Sequence, residues 1–263
     1  MLPFCLLLWL KRFIGSISQG TLGWRKRRIA MDKMLFPMER PGLGEGSLST
    51  LERRVQLDLH NEAILSHQEN IDIVFIGDSI THFWNLQSYF GSSGQRIENR
   101  GMGWDMTGFT LQRFNADVIQ LKPKYVIIMI GINNTWALES EHPQDNKTAD
   151  QIEREFAGDL QAMIQRSLHA VVQPIVCSLI PTCNETPSTH SRNRLIRALN
   201  ERLQRLSAEY GIIYIDYHTA MCELDGLTLN KQLTYDGIHP DVYGYGVMAE
   251  ALRNTVMKYG IRL

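Results

Sequence analysis

Five short apolar runs constrain this chain more than any other feature. They lie at 71–76 (IDIVFI), 97–102 (IENRGM), 125–131 (YVIIMIG), 171–180 (VVQPIVCSLI) and 212–217 (IIYIDY). All but the second are rich in Val and Ile and nearly continuous, as strands buried on both faces are. The second is the weakest. Amphipathic segments alternate with them. Leu111, Phe114, Val118 and Leu121 step by three or four residues, with Pro123 as a stop. Ile152, Phe156, Leu160 and Met163 follow Thr148-Ala149-Asp150-Gln151, which has the pattern of a capping box. Leu195, Ile196, Leu199, Leu203 and Leu206 form a further stripe, and Val247, Met248, Ala251, Leu252 and Val256 the last. A helical lead-in is expected over 49–67. Strands alternating with helices predict an α/β fold: a five-stranded parallel sheet in a three-layer αβα sandwich.

The 263 residues carry 27 basic and 28 acidic side chains, a net charge of −1. That balance argues against a nucleic-acid partner. The balance is uneven: residues 1–30 hold six basic residues and no acidic one, leaving −7 on the rest. The run Leu2 to Leu10 would rise only about 15 Å as a helix, half of a bilayer core. Lys11 and Arg12 follow it, whereas an export signal has its charge first. Three readings stay open: a start at Met31 or Met34, a surface-binding amphipathic head, and an atypical export signal. Residues 1–48 are therefore expected to be a non-core head and linker, and 49–263 one domain. A cytoplasmic location is expected, with export or peripheral membrane association through residues 1–30 left open and no obligatory membrane partner. Cysteines 5, 177, 183 and 222 contain no C-x-x-C pair, so neither a zinc ribbon nor a disulfide scaffold is indicated.

In an open parallel sheet, ligands bind outside the carboxyl ends of the strands. The first run ends in Gly77-Asp78-Ser79-Ile80-Thr81, placing Ser79 at a helix start where unpaired N–H groups favour negative charge. Ser79 there is either a helix cap or a nucleophile. The segment lacks the phosphate-loop pattern, and Thr81 replaces the second glycine of a G-x-S-x-G elbow. Tyr235-Asp236-Gly237-Ile238-His239-Pro240 places a carboxylate three residues before a histidine. Pro240 suits the first position of the last helix, with His239 as its cap. Asp236 can then reach the imidazole Nδ1 and leave Nε2 free to take a serine proton. Gly131-Ile132-Asn133-Asn134 can present an amide to the same crevice, and Asn99-Arg100-Gly101-Met102-Gly103-Trp104-Asp105 has glycines that let backbone approach a ligand. Each motif alone also reads as a cap or a turn. Together they put a nucleophile, a base, its orienter and oxyanion donors at the ends of different strands.

These four blocks, in this order over about 71 to 255, resemble the SGNH (GDSL-type) hydrolase family of esterases and acylhydrolases. Asn134 after Asn133 is similar to the subgroup of platelet-activating-factor acetylhydrolase catalytic subunits. The resemblance implies a flavodoxin-like sandwich with strand order 2-1-3-4-5 and no cofactor. It further implies Ser79 as nucleophile, His239 as base and then acid, and Asp236 as orienter. The oxyanion would be held by the Ser79 N–H, the Asn133 amide and a backbone N–H of Gly103 or Trp104. Trp104 stands where the family usually has glycine, which leaves open which of those two donates.

Trp84, Trp104 and Trp136 each sit beside a block, and are expected to narrow an acyl pocket toward short chains or to stack on a sugar. Packing at the sheet end is the other reading. The remaining histidines show no ligand spacing, so no metal is expected. The reaction expected is hydrolysis of a short-acyl ester, such as an acetyl group on a carbohydrate, with the small ester and water as partners and the oligomeric state left open. Lysophospholipase or acyl-thioesterase activity, and more distantly a non-catalytic flavodoxin-like binding module, are the alternatives.

Overall fold

The computed structural model describes residue 39 and residues 48–263, apart from 140–142, 185, 187 and 188. The expectations for residues 1–30 lie outside the described residues. Glu39 exchanges two hydrogen bonds with the Gln120 side chain.

Helix α1 (Leu48–Ser66) leads into β1 (Ile73–Gly77), followed by the short helices α2 (Ser79–Phe83) and α3 (Leu86–Phe90). Then come β2 (Ile97–Gly101), α4 (Thr107–Asp117), β3 (Tyr125–Met129), α5 (Ala149–His169), β4 (Gln173–Cys177) and α6 (Thr189–Tyr210). The chain ends with β5 (Ile213–Ile215), α7 (Tyr217–Met221) and α8 (Val242–Val256). All strand pairs are parallel, in the order β2-β1-β3-β4-β5. Three crossovers run one way along the sheet and the β1-to-β2 connection runs the other. Right-handed connections therefore place α4, α5 and α6 on one face and cover the opposite face with other helices.

The apolar runs are buried because both faces are covered: Val74, Ile76, Val126, Ile128, Ile175 and Val176 have essentially no exposure. Strand β2 explains its own weak sequence signal. It is an edge strand whose buried side chains include Glu98 and Arg100, which pair with each other at 3.1 Å. The Thr148–Gln151 capping box is present in full at the start of α5. Helix α4 stops at Asp117, before the expected end, and the stripe continues as a single 3-10 turn over Ile119–Leu121. Helix α7 was not anticipated. Asp216 caps it by accepting from the Thr219 N–H, cutting the last apolar run short. The sheet register sets Gly77 beside both Gly101 and Met129, so three strands end level with one another.

Candidate active site

Gly77 leaves β1 through a gap that admits no side chain: a Cβ there would lie 2.1 Å from the Met129 carbonyl oxygen. Asp78 then caps α2, its carboxylate accepting from the Ile80 N–H at 3.0 Å. The cap role thus falls to Asp78. Ser79 becomes the first helical residue, with its hydroxyl turned to a partner 160 residues away. His239 Nε2 lies 2.8 Å from Ser79 Oγ, and His239 Nδ1 lies 2.6 Å from Asp236 Oδ2.

The loop bearing Asp236 and His239 is built from its own backbone. Asp236 Oδ1 accepts from the N–H groups of Ile238 and His239, at 2.9 and 2.7 Å. Burial pushes the Asp236 carboxyl up, but these donors and the imidazole outweigh it and hold it below its ordinary value. Gly237, at φ +84°, passes so close to Asn184 that a Cβ would lie 2.6 Å from that residue's backbone nitrogen. Thr234 Oγ1 donates to the His239 carbonyl and accepts from the Gly237 N–H. The expected cap is corrected here. Asp241, not His239, caps α8 by accepting from Tyr243 and Gly244 N–H, because a carboxylate takes orphan helix donors better than an imidazole or proline can. Pro240 instead bridges to Thr234 across the loop.

Two more strand ends complete the cleft. After β2, the Met102 N–H donates to the Gly77 carbonyl, and Trp104 adopts φ +66° with its side chain largely exposed. The left-handed region disfavours every residue with a Cβ, which is why glycine suits this position. Asp105 anchors the turn from below, accepting from Arg113 Nε at 2.6 Å and Thr110 Oγ1 at 3.0 Å. After β3, the Asn133 amide donates to the Asp105 carbonyl at 2.9 Å, which leaves its second N–H for the cleft. Asn134 holds the same turn by accepting from the Thr107 N–H and donating to its hydroxyl.

Ser79, Gly103, Trp104, Asn133, Trp136 and His239 line one cleft of about 320 Å³, together with Arg53, His82, Phe83 and Ile238. Trp84 is not among them. Its ring is buried in the core, stacked on Tyr245 and edge-on to Phe75, so of the three tryptophans it is the one packed into the sheet end. Trp136 lies under the Arg192 guanidinium, 3.6 Å from ring centre to carbon.

Several residues of the site went unread in the sequence. His239 lies between the rings of Phe83 and Tyr235, with centroids at 5.5 and 5.9 Å. His82, which shows no ligand spacing in the sequence, lines the cleft. Burial and the Arg53 charge push its pKa down, so it is neutral at pH 7. Arg113 donates to Gly77 and Arg100 carbonyls as well as to Asp105, tying the first and second strand ends together. The sequence signal for that is slight: Arg113 stands four residues before Asp117 on one helix face. No cluster of His, Cys, Asp and Glu suited to a metal occurs among the described residues, and no helix among them is long and apolar enough to cross a membrane.

The model of the GDSL-like lipase/acylhydrolase family matches residues 75–247. An acetylxylan esterase of Geobacillus stearothermophilus is 25% identical over 174 residues, 65% of this chain and 76% of that protein. Platelet-activating factor acetylhydrolase IB subunit alpha1 of Rattus norvegicus is 24% identical over 221 residues, 82% of this chain and 84% of that protein. A crystal structure of a GDSL-like lipase from Bacteroides thetaiotaomicron superposes with a TM-score of 0.64 at 24% identity, covering 78% of this chain and 97% of that one. The chain belongs to the GDSL-like lipase/acylhydrolase family, hydrolases of ester bonds.

Proposed function

We propose that this enzyme removes a short acyl group, acetyl foremost, from a hydroxyl of a small alcohol or carbohydrate. The observation that carries the proposal is the unbroken chain Asp236–His239–Ser79, at 2.6 and 2.8 Å. Ser79 Oγ attacks the ester carbonyl as His239 Nε2 accepts its proton, and Asp236 stabilises the imidazolium through Nδ1–H. The oxyanion forms against the Ser79 N–H, a backbone N–H of the Gly103–Trp104 turn and the free N–H of the Asn133 amide. His239 then protonates the leaving alcohol, and a water that it deprotonates cleaves the acyl-enzyme, releasing the acid and Ser79.

Support for a short acyl group comes from the aromatic walls, Trp104 and Trp136, and from the acetyl group in the names of both relatives. A series of p-nitrophenyl esters of increasing acyl length, on wild type and Ser79→Ala, tests this. Acetate is expected to be the best substrate, and Ser79→Ala to lose at least about 10³-fold in kcat. Faster turnover of a long-chain ester would replace the short-acyl reading with a lysophospholipase or thioesterase. Equal activity in the two proteins would end the mechanism.

A further inference from the structure

Arg53 belongs to no catalytic block, yet it lines the same cleft as Ser79 and His239. It sits on α1, half-buried, where Nε donates to the Gly101 carbonyl and Nη2 to the Asn99 carbonyl, both at 3.2 Å. Those two bonds go to neutral oxygens and occupy two of the five guanidinium N–H groups.

Its neighbours are treated differently. Arg54 is paired with Asp58 and Asp117, Arg100 with Glu98, and Arg113 with Asp105 and Asp117. Among the described residues no carboxylate lies within 4 Å of Arg53. Behind it, Arg100, Arg113 and Arg54 add to the positive potential, with Asp117 opposing them. A partly desolvated guanidinium stays charged at neutral pH and is costly to leave without a counter-ion. Neutral His82 beside it adds a hydrogen-bonding group without adding charge.

We propose that Arg53 is a specificity residue that receives an anionic group, carboxylate or phosphate, on the alcohol portion of the ester. The inference rests on the short-acyl esterase reading above: an acetyl group has no room for a charge, so the anion belongs to the alcohol. Apart from Asn133, which faces the oxyanion, and neutral His82, the rest of the cleft wall around the triad is aromatic or aliphatic, so Arg53 also fixes the direction in which such a substrate lies.

Three matched substrates test this: acetylglycerol, acetylglycerol phosphate and O-acetylglycerate, in which the third carbon is a hydroxymethyl group, a phosphorylated hydroxymethyl group or a carboxylate. Wild type is expected to favour at least one anionic ester over acetylglycerol by about tenfold or more in kcat/KM, as a charge-assisted hydrogen bond allows. Which one it favours separates phosphate from carboxylate. In Arg53→Gln the ratio is expected to collapse toward one, through KM, and in Arg53→Lys to survive in part. A wild-type ratio near one, or an equal loss on all three esters in Arg53→Gln, would overturn the proposal.

If Arg53→Gln does not fold, wild type decides alone. Glycerol 3-phosphate or glycerate, whichever matches the preferred ester, should inhibit acetylglycerol hydrolysis competitively, far better than glycerol, and less as salt is raised. Inhibition by both no better than by glycerol would overturn the proposal. Tryptophan fluorescence of Ser79→Ala titrated with each of the two anions reads binding without chemistry. Saturable binding beside an absence of esterase activity in wild type would overturn the esterase reading alone; hydrolysis without such binding would overturn the role of Arg53.

Discussion

Replacing Asp117 by Asn probes the buried charge cluster that supports the catalytic strand ends. The Asp117 carboxylate, with no exposure, accepts from Arg54 Nη1 at 2.6 Å, Arg54 Nη2 at 2.8 Å, Arg113 Nη1 at 2.8 Å and Asn61 Nδ2 at 3.0 Å. Burial alone would push its pKa up. The Arg54 hydrogen bonds and the Arg113 charge overcome that and hold it down at about 2, against an ordinary value of 3.8. At about 1.4 kcal/mol for each pKa unit, the difference corresponds to about 2 kcal/mol of stability. Because the folded pKa is the lower one, this contribution is complete above pH 4 and disappears as pH falls toward 2. Asparagine costs more than protonation, since its N–H₂ faces arginine donors and leaves two guanidiniums short of an anion. Breaking a buried pair in this way costs about 3–5 kcal/mol. Urea unfolding of wild type and Asp117→Asn, from pH 7 down to pH 2.5, is the assay. The variant should be less stable at pH 7 by that amount, and the gap should narrow below pH 4. A variant within about 1 kcal/mol of wild type at pH 7, or two curves that stay parallel on acidification, would refute the reasoning. Arg113 also holds the Gly77 and Arg100 carbonyls. The folded fraction of the variant should therefore show a lower kcat as well.

Trp104→Gly removes a Cβ from a left-handed residue and should raise unfolding stability by about 1 kcal/mol, while relaxing the preference for short acyl groups as the ring leaves the cleft. A lower Tm would contradict it. Asp78→Asn keeps the acceptor that caps α2 but not the charge. Burial pushes the Asp78 carboxyl up to about 7, so its favourable contribution is complete below pH 4 and lost as pH rises through 7. The variant should gain on wild type by a few kcal/mol over that window, and equal pH profiles would count against it. Gly237→Ala meets the Asn184 backbone at a strained φ, so it should shift the Asp236–His239 loop and cut kcat on p-nitrophenyl acetate by about tenfold or more with the far-UV CD retained. Wild-type kcat in that variant would show that the loop tolerates the side chain.

The strands that were easiest to read are those whose burial is purely apolar. Val126–Met129 and Ile175–Cys177 lie between two covered faces, so nothing interrupts the hydrophobic run. Glu98 and Arg100 obscure β2 because they are buried as a pair on the strand itself, with Arg100 also donating to Asn61 on α1, so charged residues interrupt the apolar run. Trp84 misled for the opposite reason: proximity to Ser79 in sequence does not fix a ring's direction, and the core claims this one.

The chemistry of the site residues is local. Asp78, Ser79, Asn133, Asp236 and His239 stand at strand or helix ends where their short motifs put them; each motif alone also reads as a cap or a turn, and only the set of them points to acyl transfer. The sequence by itself determined the sheet and its alternation with helices, because periodicity and turn chemistry act over a few residues, while the candidate site groups were singled out by the resemblance of their four blocks. Tertiary structure decided how they meet. It closed the 160-residue gap between Ser79 and His239, made Asp78 and Asp241 the caps, and brought Arg53 from the first helix into the cleft without a carboxylate. Those outcomes depend on distances between elements and on which charges share one desolvated volume, quantities set only once the sheet and its helices have packed.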